Sequence, residues 1–294
     1  GICGYVSREG PATAEAVRAM AGTLAHRGPD GEVLHVDGPV ALGHRRLSII
    51  DLSEAASEPM TNEDGSLWLT FNGEIYNFRE IRRGLEARHR FRSRSDGEVI
   101  LHLYEEKGPD CVRDLRGMFA FAILDSRRGL IFLARDRFGV KPLYWTHGPG
   151  GFAFASELDA LLAWPLVARE IDSQALSRYL CFYYVPAPQS MVRGVRALEP
   201  GQTLLLDGGG VTLRSYWNPH SFLGTAAPDE AFDRSAFEDE LDATLADTVR
   251  IHLNADVPVG AFLSGGVDSS GVVAYMSRFV EGAKTFCLVH DDPD

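Results

Sequence analysis

The chain has 294 residues, of which 45% are hydrophobic and 24% charged, so it is long enough for one large or two ordinary globular domains and is neither disordered nor fibrous. Its formal net charge of -12 argues against sequence-independent binding to nucleic acid, which needs clustered Lys and Arg. A small-molecule partner is favoured.

Cysteine usage and the length of the apolar runs indicate the cellular compartment of the protein. Cys3, Cys111, Cys181 and Cys287 lie far apart without a closely spaced histidine, a spacing that indicates neither a zinc site nor a disulfide framework. No apolar run approaches the length of a bilayer span, and the first residues lack the basic and apolar regions of a secretory signal. We therefore expect a cytoplasmic, reduced protein without a membrane partner.

The first half of the chain alternates strand patterns with helix patterns. Leu67, Leu69 and Phe71 alternate with the other face of a predicted strand after the turn dipeptide Asp64-Gly65. Two segments with apolar residues at helical spacing follow, which predicts two helices. The second helix should end at Gly108-Pro109, where Gly accepts a left-handed cap and Pro cannot continue the helix. The apolar positions of these helices are Phe78, Ile81 and Leu85, then Val99, Ile100 and Leu103. Residues 117–136 predict two central strands joined by a polar turn at 125–129.

The last third of the chain indicates a new domain. Residues 218–235 are rich in turn formers without apolar periodicity, which predicts a linker. Ser235 and Glu238 form a capping box ahead of an apolar repeat that starts at Phe237 and recurs every fourth residue to Leu253. Residues 256–279 then read as strand, glycine turn and helix. Because two strands and two helices do not complete a doubly wound sheet, we expect an incomplete domain.

The strongest local motif is SGGVDSS, residues 264–270. Two glycines let the backbone approach an anion, and the amides of the following helix start point at it. Asp268 is suited to hold Mg²⁺ that bridges phosphate oxygens. No Lys follows the second glycine, so a P-loop is disfavoured, and the pattern matches the pyrophosphate loop of enzymes that split ATP into AMP and pyrophosphate. The alternative is a Gly-Gly turn capped by Asp268 and Ser269.

Five weaker motifs precede that loop in a fixed order. Each motif alone is a weak signal, and the Asn-Gly pair within FNGEIYN is common in ordinary hairpin turns. They are HRGPD at 26–30, RRLSIID at 45–51, FNGEIYN at 71–77, SDGEVI at 95–100 and RDRFGVKPLYW at 135–145. Together they resemble the glutaminase domain of class II glutamine amidotransferases. With SGGVDSS, and through ASELDAL, FYYVPAPQSM and VRALEPGQ, nearly the whole chain resembles the asparagine synthetase (glutamine-hydrolysing) family.

The resemblance implies the fold and the domain boundaries. Residues 1–217 should form an α+β glutaminase domain with its C-terminal extension, built as a four-layer αββα sandwich with two antiparallel sheets. Residues 218–235 would be the linker. Residues 236–294 should begin a parallel-sheet α/β domain that binds ATP, which this sequence carries only in part.

The amino end raises the question of the nucleophile. The family's mature chain starts Cys-Gly-Ile-x-Gly, so Gly1-Ile2-Cys3-Gly4 matches the second to fifth positions and the catalytic cysteine would stand immediately before Gly1. An N-terminal nucleophile uses its own α-amine as general base, with a pKa of about 7.7 to 8, and Cys3 has an ordinary amide nitrogen. We expect Cys3 to be buried and non-catalytic. The weaker alternative exposes Cys3 by further processing.

The resemblance also implies residue roles at a glutamine site. The Asn72 side-chain amide and the Gly73 N–H would form the oxyanion hole. Arg46 would bind the α-carboxylate, Glu74 and Asp96 the α-ammonium, and backbone near Ile49 would complete the pocket. The alternative for Arg46 and Asp96 is a surface ion pair.

A second site would bind ATP with Mg²⁺, and the implied activity is glutamine-dependent amide synthesis with release of AMP and pyrophosphate. Asp268 would hold the metal. The implied ATP-site residues are Leu263, Ser264, Gly265, Gly266, Asp268, Ser269, Ser270 and Leu288. The default acceptor carboxylate is aspartate, and a homodimer is compatible. Two alternatives stay open, namely an amidotransferase with a non-aspartate acceptor in secondary metabolism and a catalytically inactive binding relative.

Overall fold

The computed structural model describes residues 1–223 and 233–289. The chain divides into two compact units, Gly1–Ser221 and Phe222–Asp294, each described by itself below. Residues 224–232 of the predicted linker lie outside the described residues. Among the described helices, none is both long and apolar enough to cross a bilayer.

The first unit contains twelve strands and five α-helices among its described residues. The strands are β1 (Ile2–Ser7), β2 (Gly31–Asp37), β3 (Val40–Arg46), β4 (Met60–Thr61), β5 (Leu67–Ile75), β6 (Gly117–Asp125), β7 (Leu130–Arg135), β8 (Tyr144–Gly148), β9 (Gly151–Ala155), β10 (Val195–Ala197), β11 (Gln202–Asp207) and β12 (Gly210–Ser215). The helices are α1 (Ala14–Gly22), α2 (Phe78–Leu85), α3 (Glu98–Lys107), α4 (Leu158–Leu162) and α5 (Ser173–Phe182).

Two six-stranded antiparallel sheets form the centre of the first unit. One has the order β10-β8-β9-β1-β3-β2 and the other the order β12-β11-β7-β6-β5-β4. A core of residues such as Leu42, Phe154 and Leu133 fills the space between the sheets. A second core joins α1 and α4 to the first sheet, and a third joins α2 and α3 to the second. The predicted four-layer αββα sandwich is therefore confirmed.

The sequence patterns located several elements correctly. The strand predicted around residues 67–71 is β5, and the two helices predicted after it are α2 and α3. Helix α3 ends at Lys107, and its C-cap is Gly108, whose φ of 57° requires the conformational freedom of glycine. The segment 117–136 forms β6 and β7, which are central strands of their sheet.

Cys3 is buried in β1, as expected. Its exposed fraction is 0%, and burial raises the pKa of its thiol to about 12, so the thiolate form needed for attack is suppressed at neutral pH. The strand holds Cys3 between Gly43 of β3 and Ala155 of β9. All four cysteines of the chain are free thiols.

The second unit has a strand-turn-helix-strand arrangement after one long helix. Its elements are α6 (Arg234–His252), β13 (Gly260–Phe262), α7 (Val267–Met276) and β14 (Lys284–Phe286). Strands β13 and β14 pair in parallel, which confirms the predicted start of a parallel sheet.

One predicted helix start is wrong. The N-cap of α6 is Asp233, whose side chain accepts hydrogen bonds from the backbone N–H of Ser235 and Ala236 at 3.0 and 3.1 Å. Ser235 is already inside the helix, and Glu238 pairs with Arg234 instead of closing a capping box. Aspartate is as good a cap as serine and lies two residues earlier, so it takes the position.

Candidate functional site

A cavity of about 360 Å³ lies in the first unit, where segments distant in sequence converge. Its wall contains the residue before β1, the end of β3, the middle of β5 and two residues of the segment before α3. All six predicted glutamine-site residues line it, namely Arg46, Ile49, Asn72, Gly73, Glu74 and Asp96, together with Gly1. The structure thus brings the predicted set together around the amino end.

Asn72 and Gly73 lie side by side on β5. The Asn72 Nδ2 atom is buried and has no hydrogen-bond partner among the described residues, which is costly for an amide donor unless a ligand accepts from it. A Cβ on Gly73 would lie 2.1 Å from the Met118 carbonyl oxygen of β6. Glycine is therefore required here for the close approach of the two strands.

The loop after β3 holds Arg46 at the cavity wall. The guanidinium donates from Nη1 to the Ser53 carbonyl at 2.8 Å and from Nη2 to the Asp51 carbonyl. Asp51 has a left-handed backbone, with φ 52°, and its carboxylate accepts from the backbone N–H of Ser53 and Arg94. These contacts orient a fixed positive group on one side of the cavity.

Two buried carboxyls lie on another part of the wall. Asp96 is 5% exposed and accepts from the Ile75 backbone N–H at 2.8 Å, so it is not a partner in a surface ion pair. Glu58 is also 5% exposed and accepts from the Phe71 N–H at 2.5 Å. Burial raises the pKa of Asp96 to about 7 and, with the nearby Asp96 charge, raises the pKa of Glu58 well above its ordinary value.

Sequence reasoning missed Glu58, His44 and Lys141, which also line the cavity. Burial beside cationic groups that include Arg46 lowers the pKa of His44 to about 3, so its imidazole is neutral at physiological pH. His44 directly precedes RRLSIID and Lys141 lies within RDRFGVKPLYW, so both had a signal in a motif. Glu58 carried none.

Asp136 explains how the motif RDRFGVKPLYW, residues 135–145, shapes the cavity wall. Its buried carboxylate accepts four backbone N–H groups at 3.0–3.2 Å, and the donors are Phe119, Phe138, Val140 and Lys141. Such a carboxylate fixes the path of the loop from 136 to 141. Burial lowers the pKa of Lys141 at the end of that loop.

Backbone and side-chain contacts fix the amino end at the cavity. The Gly1 carbonyl accepts from Arg45 N–H at 2.8 Å, and the Gly1 nitrogen donates to the Arg45 carbonyl at 2.7 Å. The Ile2 N–H donates to Ser156 Oγ at 3.0 Å, and the Ser156 N–H donates to the Ile2 carbonyl at 2.9 Å. ASELDAL, which contains Ser156, therefore supports the amino end.

The motif HRGPD packs against RRLSIID. A Cβ on Gly28 would lie 2.3 Å from the Arg45 carbonyl, so only glycine permits this approach. The Asp30 carboxylate accepts from the Ser48 N–H at 2.8 Å, and the Asp30 N–H donates to the Arg46 carbonyl at 3.0 Å. These two motifs are one structural feature of the cavity rim.

The glycine loop of the second unit, residues 264–270, is held by contacts among its own residues. Gly265 has φ 80°, Gly266 is the N-cap of α7, and Asp268 lies exposed in the first turn. The Ser264 and Ser269 hydroxyls lie 3.1 Å apart, and Ser269 Oγ accepts from the Ser264 N–H at 3.3 Å. The Ser270 N–H donates to the Gly266 carbonyl.

Leu263 and Leu288 lie at the carboxyl ends of the parallel pair. The Leu263 N–H, next after β13, donates to the Phe286 carbonyl at 2.8 Å, and Leu288 follows β14 with 81% of its surface exposed. Ligands of parallel α/β sheets bind outside the carboxyl ends of the strands. The eight predicted ATP-site residues therefore lie in two short segments next to this edge.

Comparison with known families agrees with the motifs. A family model described as Glutamine amidotransferase domain matches residues 1–217. A second model, described as Asparagine synthase, matches residues 240–294.

Individual relatives give the same picture. Asparagine synthetase [glutamine-hydrolyzing] 1 of Bacillus subtilis (strain 168) is 39% identical over 93% of this chain and 42% of that protein. A putative asparagine synthetase [glutamine-hydrolyzing] 2 of Methanocaldococcus jannaschii is 35% identical over 97% of this chain and 58% of that protein. The chain thus spans about half the length of the curated relatives it matches.

A solved structure supports the fold alone. Glutamine phosphoribosylpyrophosphate amidotransferase from B. subtilis, complexed with ADP and GMP, aligns with a TM-score of 0.55 at 17% identity. The alignment covers 97% of this chain and 65% of that one.

Proposed function

Because the chain belongs to the glutamine amidotransferase family, among the glutamine-hydrolysing asparagine synthetases, we propose that the full-length protein hydrolyses glutamine and uses the ammonia for ATP-driven amide synthesis. Residues 1–217 are the proposed glutaminase domain and 218–235 the proposed linker. Residues 236–294 are then the first part of the ATP-dependent domain.

The single observation that carries the glutaminase proposal is the buried Asn72 Nδ2 beside Gly73 in the cavity, which lacks a hydrogen-bond partner among residues 1–223 and 233–289. An oxyanion needs donors that are already oriented and that pay no reorganisation cost. Arg46 on one part of the wall suits the α-carboxylate of glutamine, and Glu74 with Asp96 suits its α-ammonium.

The proposed nucleophile is a cysteine that directly precedes Gly1, and the position of Gly1 on the cavity wall supports this proposal. Its thiolate would attack the glutamine side-chain carbonyl carbon, and Asn72 and Gly73 would stabilise the oxyanion. The C–N bond then breaks, the nitrogen takes the proton that the α-amine had accepted, and ammonia leaves. Water hydrolyses the thioester to glutamate and restores the thiol.

The second unit supports the ATP half of the proposal. Gly265 leaves open space beside the loop, where phosphate oxygens could approach the backbone and the N-terminus of α7. The exposed Asp268 carboxylate is a suitable ligand for Mg²⁺, which when bound neutralises phosphate charge. ATP would activate an acceptor carboxylate by adenylylation, with release of pyrophosphate, and ammonia would then displace AMP.

Aspartate is the proposed acceptor because it is the one that the relatives' printed names imply. The free thiols of all four cysteines suit a reducing compartment, so the proposal includes the cytoplasm. A homodimer is the proposed assembly, which sedimentation of the full-length protein would test.

The decisive variant is Asn72→Ala in the full-length protein. Loss of one oxyanion donor should reduce glutamine hydrolysis by about 10²–10³-fold. When ammonium salt replaces glutamine, aspartate-dependent release of AMP should stay at the parent rate, because that reaction bypasses the cavity.

The matched control is Asn77→Ala, in the same FNGEIYN motif. Asn77 bonds to the backbone of Asp114 and Arg116 and does not line the cavity, so hydrolysis should persist. Parent-level hydrolysis by Asn72→Ala would contradict the proposed site. Ammonia-dependent AMP release with another carboxylate but not aspartate would replace the acceptor and leave the glutaminase proposal standing.

A further inference from the structure

A second polar cluster lies in the first unit, separate from the residues that line the cavity. It consists of Glu63, His89, His102 and Glu105, here called the His₂Glu₂ cluster. Glu63 lies in the turn between β4 and β5, His89 follows α2, and His102 and Glu105 are one turn apart on α3. Nothing in the proposed amide synthesis uses these four side chains.

The four side chains present their donor atoms to one point. The His102 Nδ1 atom lies 2.9 Å from Glu105 Oε2 and 3.7 Å from Glu63 Oε2. The His89 Nδ1 atom lies 3.4 Å from Glu105 Oε2 and 3.9 Å from Glu63 Oε1. All four donor atoms lie within 4.8 Å of one another. Ligands at about 2.0–2.1 Å from a tetrahedral ion are separated by about 3.3 Å, so small movements would close this set around one ion.

Neighbouring groups outside the cluster hold three of the four side chains in place through polar contacts. Asn62 Nδ2 donates to Glu105 Oε1 at 2.8 Å, which leaves Oε2 toward the cluster. The Arg90 N–H donates to Glu63 Oε1 at 2.7 Å. The His89 Nε2 atom lies 3.2 Å from Glu106 Oε1, a contact that favours the proton on Nε2 and a lone pair on Nδ1. Such outer partners are typical of metal-ligating His and carboxylates.

Burial at His102 supports the same arrangement. Its side chain is 1% exposed, and Nε2 is buried without a hydrogen-bond partner among the described residues, 3.8 Å from Glu98 Oε1. The Nδ1 atom is then the one that faces the donor set. The cluster is therefore shielded from solvent on the side of His102 and exposed to solvent on the side of Glu63 and Glu105.

We propose that the His₂Glu₂ cluster is a structural binding site for a divalent transition-metal ion, with Zn²⁺ the best match. Two imidazole nitrogens and two carboxylate oxygens are the donor types that Zn²⁺ takes in four-coordinate sites. Ca²⁺ and Mg²⁺ prefer oxygen ligands throughout. Two carboxylates with neutral imidazoles balance a charge of +2.

An ion-pair cluster without metal is the competing arrangement. In that arrangement His102 Nδ1 donates to Glu105 Oε2 at 2.9 Å, and protonation of His89 as well would put two positive charges on rings whose centroids are only 4.7 Å apart. Like charges this close repel each other. One divalent ion pairs with both carboxylates and avoids that repulsion.

A metal here would join three segments that otherwise meet through side-chain contacts. It would tie the β4–β5 turn and the segment after α2 to α3. Helix α3 starts at Glu98, two residues after Asp96 of the cavity wall. The ion would therefore stabilise the element that begins beside the cavity, without contact with glutamine.

Metal binding by the full-length protein tests this directly. After removal of metal with a chelator and dialysis, Co²⁺ is added without ATP and the visible absorption of tetrahedral Co²⁺ is recorded. We expect one equivalent of Co²⁺ per chain, displaced by Zn²⁺, and a higher midpoint of thermal unfolding with Zn²⁺ present.

The variants are His89→Gln and, as an independent second change, Glu63→Gln at the exposed side of the cluster. Each should weaken Co²⁺ affinity by at least about tenfold, the smaller loss seen even for outer partners of a metal. The matched controls are His147→Gln and Glu170→Gln, exposed residues outside the cluster, which should bind as the parent does.

Two results would overturn the proposal. One is parent protein that shows no stoichiometric tetrahedral Co²⁺ signal, which would leave an ion-pair cluster. The other is a signal that both variants retain at parent affinity, which would put the metal elsewhere. Circular dichroism of each variant without metal identifies a folding failure, and the remaining folded variant then decides.

Discussion

The cavity of the first unit and the glycine loop of the second are candidate binding sites that are built in two different ways. The cavity takes residues from positions 1 to 141, buries two carboxyls and contains an amide donor that has no hydrogen-bond partner in the part of the chain that the structure describes. The loop takes consecutive residues 264–270, keeps them mostly exposed and depends on one positive φ and one helix start. A dispersed site is therefore sensitive to packing and burial, whereas a contiguous site is sensitive to local backbone conformation.

Gly73→Ala is expected to give the largest effect and tests the packing side of that contrast. The added methyl would lie 2.1 Å from the Met118 carbonyl, so β5 and β6 must separate. Overpacking of this kind lowers the free energy of unfolding by about 1–3 kcal/mol, and displacement of Asn72 should abolish glutamine hydrolysis. Chemical denaturation and a glutaminase assay measure the two effects.

The control for that change is Gly84→Ala in α2, where an added Cβ meets nothing within 4 Å. It should raise the free energy of unfolding by about 0.5–1 kcal/mol, because alanine is the better helix former. Equal effects of the two substitutions would remove the packing explanation.

Gly265→Ala tests the backbone side of the contrast. The position has open space but φ 80°, a left-handed conformation that costs a side-chain-bearing residue about 1–2 kcal/mol. The binding of Mg-ATP by the full-length protein should weaken by about 5–30-fold, with glutamine hydrolysis unchanged. Calorimetric titration measures the affinity. Gly271→Ala, on α7 with open space and an ordinary φ, should bind as the parent does.

Asp96→Asn tests burial through pH. Since burial raises the pKa of Asp96 to about 7 from an ordinary 3.8, the folded state holds more protons than the unfolded state between these values. The free energy of unfolding therefore falls as pH rises through that window. The variant removes this contribution, at most about 1.4 kcal/mol per pH unit.

Denaturation curves at several pH values between 4 and 7 check the slope. Asn can still accept from the Ile75 N–H, so the fold should survive. Asp30→Asn, on the exposed rim, serves as the comparison at each pH. Identical slopes in all three proteins would contradict the assigned burial effect.

The smallest expected effect concerns the N-cap of α6 in the second unit, which depends on local backbone conformation. Asp233→Ala removes the N-cap of α6 and should cost about 1 kcal/mol, whereas Ser235→Ala should be nearly neutral. Thermal unfolding followed by helical circular dichroism compares them. A larger loss from Ser235→Ala would restore the capping box that the sequence predicted.

The same contrast explains what could be predicted from sequence. The glycine loop needs only residues 264–270 and the strand and helix around them, so its conformation follows from local patterns. Helices α2 and α3 and strands β5 to β7 were equally readable, because their apolar periodicity records the face that each buries.

The cavity residues were different. Arg46, Asn72 and Asp96 were identified through a family resemblance, because no local pattern brings β3, β5 and the start of α3 together. Glu58 was missed since its role depends on burial beside Asp96, which is a tertiary property. The His₂Glu₂ cluster was missed because its ligands come from three segments and contain no cysteine.

Strand β1 pairs on one side with residues 40–44 and on the other with residues 151–155. During translation at about 5–20 residues per second, residue 155 follows the first residues by roughly 8–30 s. For that interval β1 lacks its second partner strand, so the sheet around it is incomplete. The cavity wall beside β1 is thus completed only after β9 has been synthesised.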